Sequence, residues 1–139
     1  MDIDGASICI RPAEPKDIPP IMKALSQAAV MGNSAPAFYF RWVIQEGIAV
    51  VAEKYQVITG FLIAERNDAV AYAQLIYLFV DPPSRKQGLG STLMKHFLEI
   101  CQREGVKYID LHAQKDAAKF YRPAKFNYNC LLGLPYYKE

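Results

Sequence analysis

A marked excess of acidic or of basic residues is missing from this sequence. Its 139 residues carry 16 Lys and Arg against 14 Asp and Glu, a formal charge of +2, too little to build a field that draws nucleic acid or an anionic membrane. Any anion site must therefore be local. Long apolar runs are missing too: none approaches the ~20 residues that span a bilayer, and the opening MDIDGASICIR is acidic, without the apolar stretch of a secretion signal. The chain is expected to be soluble and cytoplasmic, with neither nucleic acid nor membrane as a partner. Cysteine and histidine are scarce. Cys9, Cys101 and Cys130 are odd in number, widely spaced and unaccompanied by Cys-x-x-Cys or clustered histidines, which supports neither a disulfide framework nor a metal site and fits a reducing compartment. Each cysteine is read as a small core residue. Repeats, low-complexity tracts and linkers are absent, and apolar residues run along nearly the whole chain, so residues 1–139 are expected to form one domain.

What is present is a clear alternation of patterns. ASICIRPA (Ala6 to Ala13) alternates around Ile8 and Ile10 and predicts a first strand. Asp17 can cap a following helix whose first turn absorbs Pro19 and Pro20, with Ile21, Met22, Leu25, Ala28 and Ala29 on one apolar face. The run VMGNSAP breaks it, and AFYFRWVIQEG predicts a second helix stopped at Gly47. IAVVAEK and QVITGFLIAER, rich in β-branched residues and divided at Lys54-Tyr55, predict a β-hairpin. VAYAQLIYLFV (Val70 to Val80) is a longer strand closed by Asp81-Pro82-Pro83. From Gly88 onward Leu93, Met94, Phe97, Leu98 and Cys101 recur at helical spacing, and Gly105 supplies a stop. VKYIDLHA predicts another strand, DAAKFY a short helix, and FNYNCLLGL one or two closing strands.

The stretch DPPSRKQGLGSTLM therefore lies between a strand and a helix. A helix start leaves its first N–H groups unpaired and partly positive, and glycine lets an anion approach them closely. With Arg85 and Lys86 beside it, the stretch points to a phosphate-bearing, nucleotide-like ligand, although a tight turn carrying two solvated cations would look the same locally. A Walker loop requires Gly-Lys followed by Ser or Thr, and here Ser91 follows Gly90 directly. A dinucleotide fingerprint requires a third glycine where Leu93 stands, and one βαβ-like unit behind a hairpin-rich first half is a poor frame for it.

LFVDPPSRKQGLGSTLM resembles motif A of the GNAT superfamily of acyl-CoA N-acyltransferases, whose loop is Gln/Arg-x-x-Gly-x-Gly/Ala; Arg85, Gly88 and Gly90 fill its fixed positions. IRPAEPKDI is similar to that family's opening strand and helix, and LHAQKDAAKFYRPAKF to its later segment, so the resemblance spans about Ile10 to Phe126. It implies an α+β fold with a central mixed, mostly antiparallel sheet of about six or seven strands flanked by helices. It implies acetyl-CoA as co-substrate, its pyrophosphate held by the backbone from Gln87 through Gly88, Leu89 and Gly90 to Ser91, beside Arg85 and Lys86. The pantetheine arm would pair with the backbone of Leu78, Phe79 and Val80, much as an added strand does. Tyr121 matches the family tyrosine near the CoA sulfur and would protonate the departing thiolate.

The resemblance also has gaps. Many family members carry a glutamate on the strand before the loop, and AYAQLIYLFV has no acidic residue. Asp81 is assigned to the turn, Glu46 and His112 are candidates without further support, and ordered water helped by Tyr77 or Gln74 is the expected route for removing the amine proton. Lys125 stands where the family usually has glycine, Pro123 intrudes nearby, and Gln114 replaces a smaller polar residue. The acceptor, a small-molecule or peptide amine, would be shaped by VMGNSAPAFYFRW and NYNCLLGLPYYKE. Phe38, Tyr39, Phe40, Trp42, Tyr136 and Tyr137 line a pocket there or serve as core or homodimer contacts. A CoA-binding module of the same fold without turnover is the alternative to an enzyme.

Overall fold

The computed structural model describes residues 8–28, 35–85, 87–111, 126–129 and 134–137. Strand β1 (Cys9–Pro12) leads through a short 3-10 turn into helix α1 (Ile18–Ala28) and helix α2 (Ala37–Glu46). Strands β2 (Ile48–Lys54), β3 (Val57–Asn67) and β4 (Tyr72–Val80) follow as an antiparallel meander. Helix α3 (Leu89–Arg103) crosses back to strand β5 (Tyr108–Asp110), which runs parallel to β4. Strands β6 (Phe126–Asn129) and β7 (Leu134–Tyr137) complete the order β1-β2-β3-β4-β5-β7-β6. Among the described residues the body of the sheet is the five strands β1 to β5. The expected six or seven are reached only by counting the β6–β7 hairpin, which meets that body at the single register pair Tyr108 with Tyr136.

Alternation along the strands sorts the core into two layers. Val50, Ala52, Leu62, Ala64, Ala73 and Leu75 face α3, where Leu93, Met94, Phe97 and Cys101 meet them. Ala49, Val51, Phe61 and Ile63 face the other way and pack on Ile21 and Leu25 of α1 and on Phe40 and Val43 of α2. The apolar stripe anticipated for α3 is thus the inner face of the first layer. No helix among the described residues is long and apolar enough to cross a membrane.

Several expected boundaries move for identifiable reasons. The hairpin turns at Tyr55-Gln56 rather than Lys54-Tyr55, because these two residues take φ of 54° and 63°, the left-handed pair that a two-residue turn between twisted strands requires. β4 starts at Tyr72, since Asp68–Val70 form a 3-10 turn ending at Ala71, φ 53°. Asp17 does not cap α1. It ends the Pro15–Asp17 turn, where its buried carboxylate accepts two hydrogen bonds from the Arg11 guanidinium, at 2.8 and 2.9 Å, and one from the Glu14 N–H at 2.7 Å. Burial alone would raise the Asp17 pKa; these donors outweigh it and hold the carboxyl below its ordinary value. Cys101 is a core residue as expected, but Cys9 is exposed at the start of an edge strand. Cys130 and the DAAKFY segment lie outside the described residues.

Candidate functional site

β4 is out of step with β3 at one point. Ile63 pairs with Tyr77 but the next residue, Ala64, pairs with Leu75, so Ile76 is an extra residue, a β-bulge. In consequence Ile76 and Tyr77, although adjacent, both pack toward the α1/α2 layer, and regular alternation resumes with Leu78 and Val80 toward α3 and Phe79 away from it. A bulge bends the strand that carries it. Among the described residues the parallel partner β5 pairs with β4 from Tyr72 to Gln74. Beyond Gln74, among the described residues, no strand covers this edge of β4.

The free edge can be read residue by residue. The Asp81 N–H donates to Thr59 O at 2.8 Å, so by antiparallel alternation Phe79 directs its backbone groups at β3 while Leu78 and Val80 direct theirs at the gap. The expectation that all three offer backbone groups to one ligand narrows to Leu78 and Val80. Val80 O is already an acceptor for Arg85 Nε at 2.8 Å. That bond folds the arginine back over β4, its guanidinium 5.9 Å from the centre of the Phe79 ring, a cation–π arrangement that leaves the terminal NH₂ groups exposed.

The chain then reverses into α3. Gly88 adopts φ 81°, and a side chain added there would meet no protein atom within 4 Å. Glycine is required by the conformation and not by crowding, and the space above the helix start is open. Thr92 N–H and Oγ1 both donate to Gly88 O at 3.0 Å, which closes the first turn and leaves the N–H groups of Leu89, Gly90 and Ser91 without intrahelical partners. The Leu89 side chain is buried in the core layer under α3, so this residue contributes backbone only. Gln87 donates to Pro83 O at 3.3 Å and braces the loop. Gly60 permits the whole junction to close, since a Cβ there would lie 2.9 Å from Phe79 O and 3.2 Å from Leu93 Cδ1. Lys86 and Tyr121, with His112, Gln114, Pro123 and Lys125, lie outside the described residues.

On the opposite face, beside the same end of β4, a groove of about 480 Å³ has Phe61 and Phe79 as its floor, Lys23 and Gln27 of α1 on one wall, and Asp81 to Pro83 with Arg85 on the other. Asp81 belongs to the turn, as expected: its carbonyl accepts from Ser84 N–H at 2.8 Å. Glu46 is exposed at the end of α2. Of the aromatics proposed around an acceptor, Phe40 is fully buried core, whereas Phe38 and Trp42 are exposed. Tyr39 is half-buried, and its hydroxyl donates to Glu65 Oε2 at 2.6 Å. The side chains of Tyr136 and Tyr137 lie outside the described part of β7.

Sequence reasoning missed Glu65. It lies directly opposite Gln74 across the β3–β4 ladder, and Gln74 in turn lies opposite Asp110 on β5. Both carboxylates accept from a tyrosine: Tyr39 to Glu65, and Tyr72 to Asp110 Oδ2 at 3.1 Å. Burial, and then the bond to Glu65, push the Tyr39 phenol well above its usual pKa; burial and Asp110 push Tyr72 up to about 12. Both phenols therefore stay protonated donors at neutral pH. No local pattern could have found this row, because it depends on which residues of three strands stand side by side.

An α+β sheet split at a strand bulge, with a glycine-started helix beside the split, defines a class of domain that can hold an extended chain along one strand edge and an anion at the helix start. The match to the Acetyltransferase (GNAT) family covers residues 20–126, and the chain belongs to that family. No curated protein sequence matches it. Among solved structures it is similar to Ard1 from Thermoplasma volcanium, at 21% identity and TM-score 0.72, over 93% of each chain. It is similar to the PaiA N-acetyltransferase from Thermoplasma acidophilum in complex with coenzyme A, at 16% identity and TM-score 0.70, over 96% of this chain and 99% of that one. N-acetylglutamate synthase from Neisseria gonorrhoeae, complexed with coenzyme A and N-acetyl-glutamate, matches at 18% identity and TM-score 0.74 over 88% of this chain. The chain spans only 28% of that synthase. At these identities the likeness is one of fold.

Proposed function

We propose that the protein is an acetyl-CoA-dependent N-acetyltransferase that passes the acetyl group to a primary amine, of a small molecule or a peptide, by direct attack in a ternary complex. The observation that carries this reading is the bulge at Ile76 in β4, the strand that leads into the loop before α3 and whose edge beyond Gln74 no strand covers among the described residues. The residues present fit the co-substrate. Leu78 and Val80 offer edge amide groups to the amide-bearing arm. The N–H groups from Gly88 to Ser91 and the cations Arg85 and Lys86 suit the pyrophosphate. Bound there, acetyl-CoA supplies an activated acyl carbon on a thiol leaving group. Tyr121 is the residue assigned to protonate the departing sulfur, since a phenol of ordinary pKa ≈ 10 still holds its proton at neutral pH. The fold likeness to structures that contain coenzyme A supports the same reading.

Thermal unfolding with acetyl-CoA, and with NAD as a control, tests it. A ligand at ~100 times its dissociation constant stabilises the folded state by about 2.7 kcal/mol, a midpoint shift of roughly 5 to 15 °C for a chain of this size. A shift with acetyl-CoA alone, followed by CoA thiol release with an amine and its loss in Tyr121→Phe, is the expected result. No shift at saturating acetyl-CoA refutes the reading. Binding without turnover of any amine in a broad panel favours a CoA-binding module instead.

A further inference from the structure

The acceptor of an N-acetyltransferase arrives mostly as an ammonium ion, and its nitrogen cannot attack until a proton has gone. β4, which borders the gap, has no carboxylate of its own. Its neighbour does. We infer that Glu65 of β3 is the general base of this protein and that Tyr39 of α2 is its positioning residue, an assignment that rests on the N-acetyltransferase reading above.

Three observations meet at this residue. Glu65 stands opposite Gln74, the last residue of β4 paired with β5 among the described residues, so its strand is one spacing from β4 and about two spacings, roughly 10 Å, from a chain paired along the far edge of β4, a span that a glutamate side chain leaning across β4 and one water cover. The Glu65 side chain is also on the face of α1 and α2, the segments whose connection is expected to shape the acceptor site, and away from α3. Finally, the Tyr39 hydroxyl occupies Oε2 at 2.6 Å, the short length of a charge-assisted bond, and among the described residues Oε1 has no hydrogen-bond partner. Of the other carboxylates on this side, Asp110 is 7% exposed and receives Tyr72, whereas Glu65 is only half-buried.

Among the described residues few groups face Glu65. They are Tyr39 from α2, Gln74, Tyr72 and Tyr77 from β4, and Asp110 from β5 beyond Gln74. Among the described residues no cation pairs with it; its neighbour Arg66 points to the other face and binds Asp68 and Glu104. A half-buried carboxylate fixed by one donor, with its second oxygen unbonded among the described residues, suits proton transfer from an ammonium through one water. Glu65 takes one proton from R–NH₃⁺. The nitrogen lone pair so released forms the N–C bond to the acyl carbon, and the C–S bond breaks with its electron pair on sulfur. The second nitrogen proton balances the thiol, delivered by way of Tyr121, and the protonated Glu65 returns its proton to solvent.

The test is the pH dependence of kcat/KM for the full chain, followed by CoA thiol release with three probes: a short peptide with a free N-terminal amine, putrescine and benzylamine. In Glu65→Gln the rate with the best probe should fall about 100-fold or more at neutral pH, and the remaining activity should climb with pH as the amine loses its own proton. In Tyr39→Phe the carboxylate loses a donor to its ionised form. The carboxylate should then be less well oriented, so kcat should fall while KM for the amine stays near the wild-type value, a split that mere loosening of α2 would not give. Both variants should keep the acetyl-CoA midpoint shift, which shows that they fold and bind. Wild-type rate and profile in Glu65→Gln would overturn the assignment and leave the N-acetyltransferase reading standing. A wild type that binds acetyl-CoA but turns over none of the probes would overturn both.

Discussion

Deleting Ile76 removes the one residue that puts β4 out of step with β3. The pairs on either side, Ile63 with Tyr77 and Ala64 with Leu75, are already consecutive on β3, so without Ile76 they become neighbours on β4 as well. Leu75 still faces α3 and Tyr77 still faces α1 and α2, and every later side chain keeps its side. Fully burying an isoleucine is worth ~1.5–3 kcal/mol, so losing this partly buried one costs about 1 kcal/mol. A restored ladder bond offsets about 0.5–1.5 kcal/mol of that. Global stability should therefore change by no more than about 1–2 kcal/mol in denaturant unfolding. The strand, however, loses its bend and should stay beside β5, closing the edge at Leu78 and Val80. The acetyl-CoA shift, roughly 5 to 15 °C in the wild type, should vanish. A deletion variant that folds with near-native stability and still shifts with acetyl-CoA would refute the link between the bulge and the ligand. One that loses cooperative unfolding would refute the claim that the pairing survives.

Asp17→Asn should cost about 2–4 kcal/mol, because it removes one partner of a buried ion pair and leaves the Arg11 guanidinium with Glu53 alone. The native Asp17 carboxyl has a lowered pKa, so its stabilisation is present above the unfolded-state value and lost as pH falls through the folded one; the gap between wild type and variant in chemical denaturation should close in acid. Gly88→Ala forces a left-handed φ of 81° on alanine and should cost about 1 kcal/mol or more of stability. Its methyl would also project into the open space at the helix start, so the acetyl-CoA shift should shrink by more than the stability change explains. Cys101 is fully buried, and burial, only partly countered by Arg66, pushes its thiol up to about 12. Mass-spectrometric mapping after brief iodoacetamide treatment of the native protein should find Cys9 alkylated and Cys101 intact until denaturant is added.

Much of the scaffold was legible because its signals are local. The apolar spacing from Leu93 to Cys101, the stop after Arg103 and the paired prolines after β4 each report on a few residues of backbone, and α3 and the loop before it lie where those patterns put them. Short strands were harder. The hairpin turn and the start of β4 moved because Tyr55, Gln56 and Ala71 take left-handed conformations that no glycine advertised. The expected role of Asp17 as a cap failed because the side chain of Arg11, six residues back on a different element, claims its carboxylate.

The sequence by itself determined the two-faced strands, the three helices among the described residues and the glycine-started loop, because side-chain periodicity and backbone freedom are properties of consecutive residues. Only the tertiary structure decided that Ile76 is the extra residue of β4, that Leu78 and Val80 rather than Phe79 face the gap, and that Glu65 stands beside a strand with no carboxylate of its own. Those outcomes depend on register. Register is fixed by how two strands share one buried face, and that balance is struck between residues far apart in the chain.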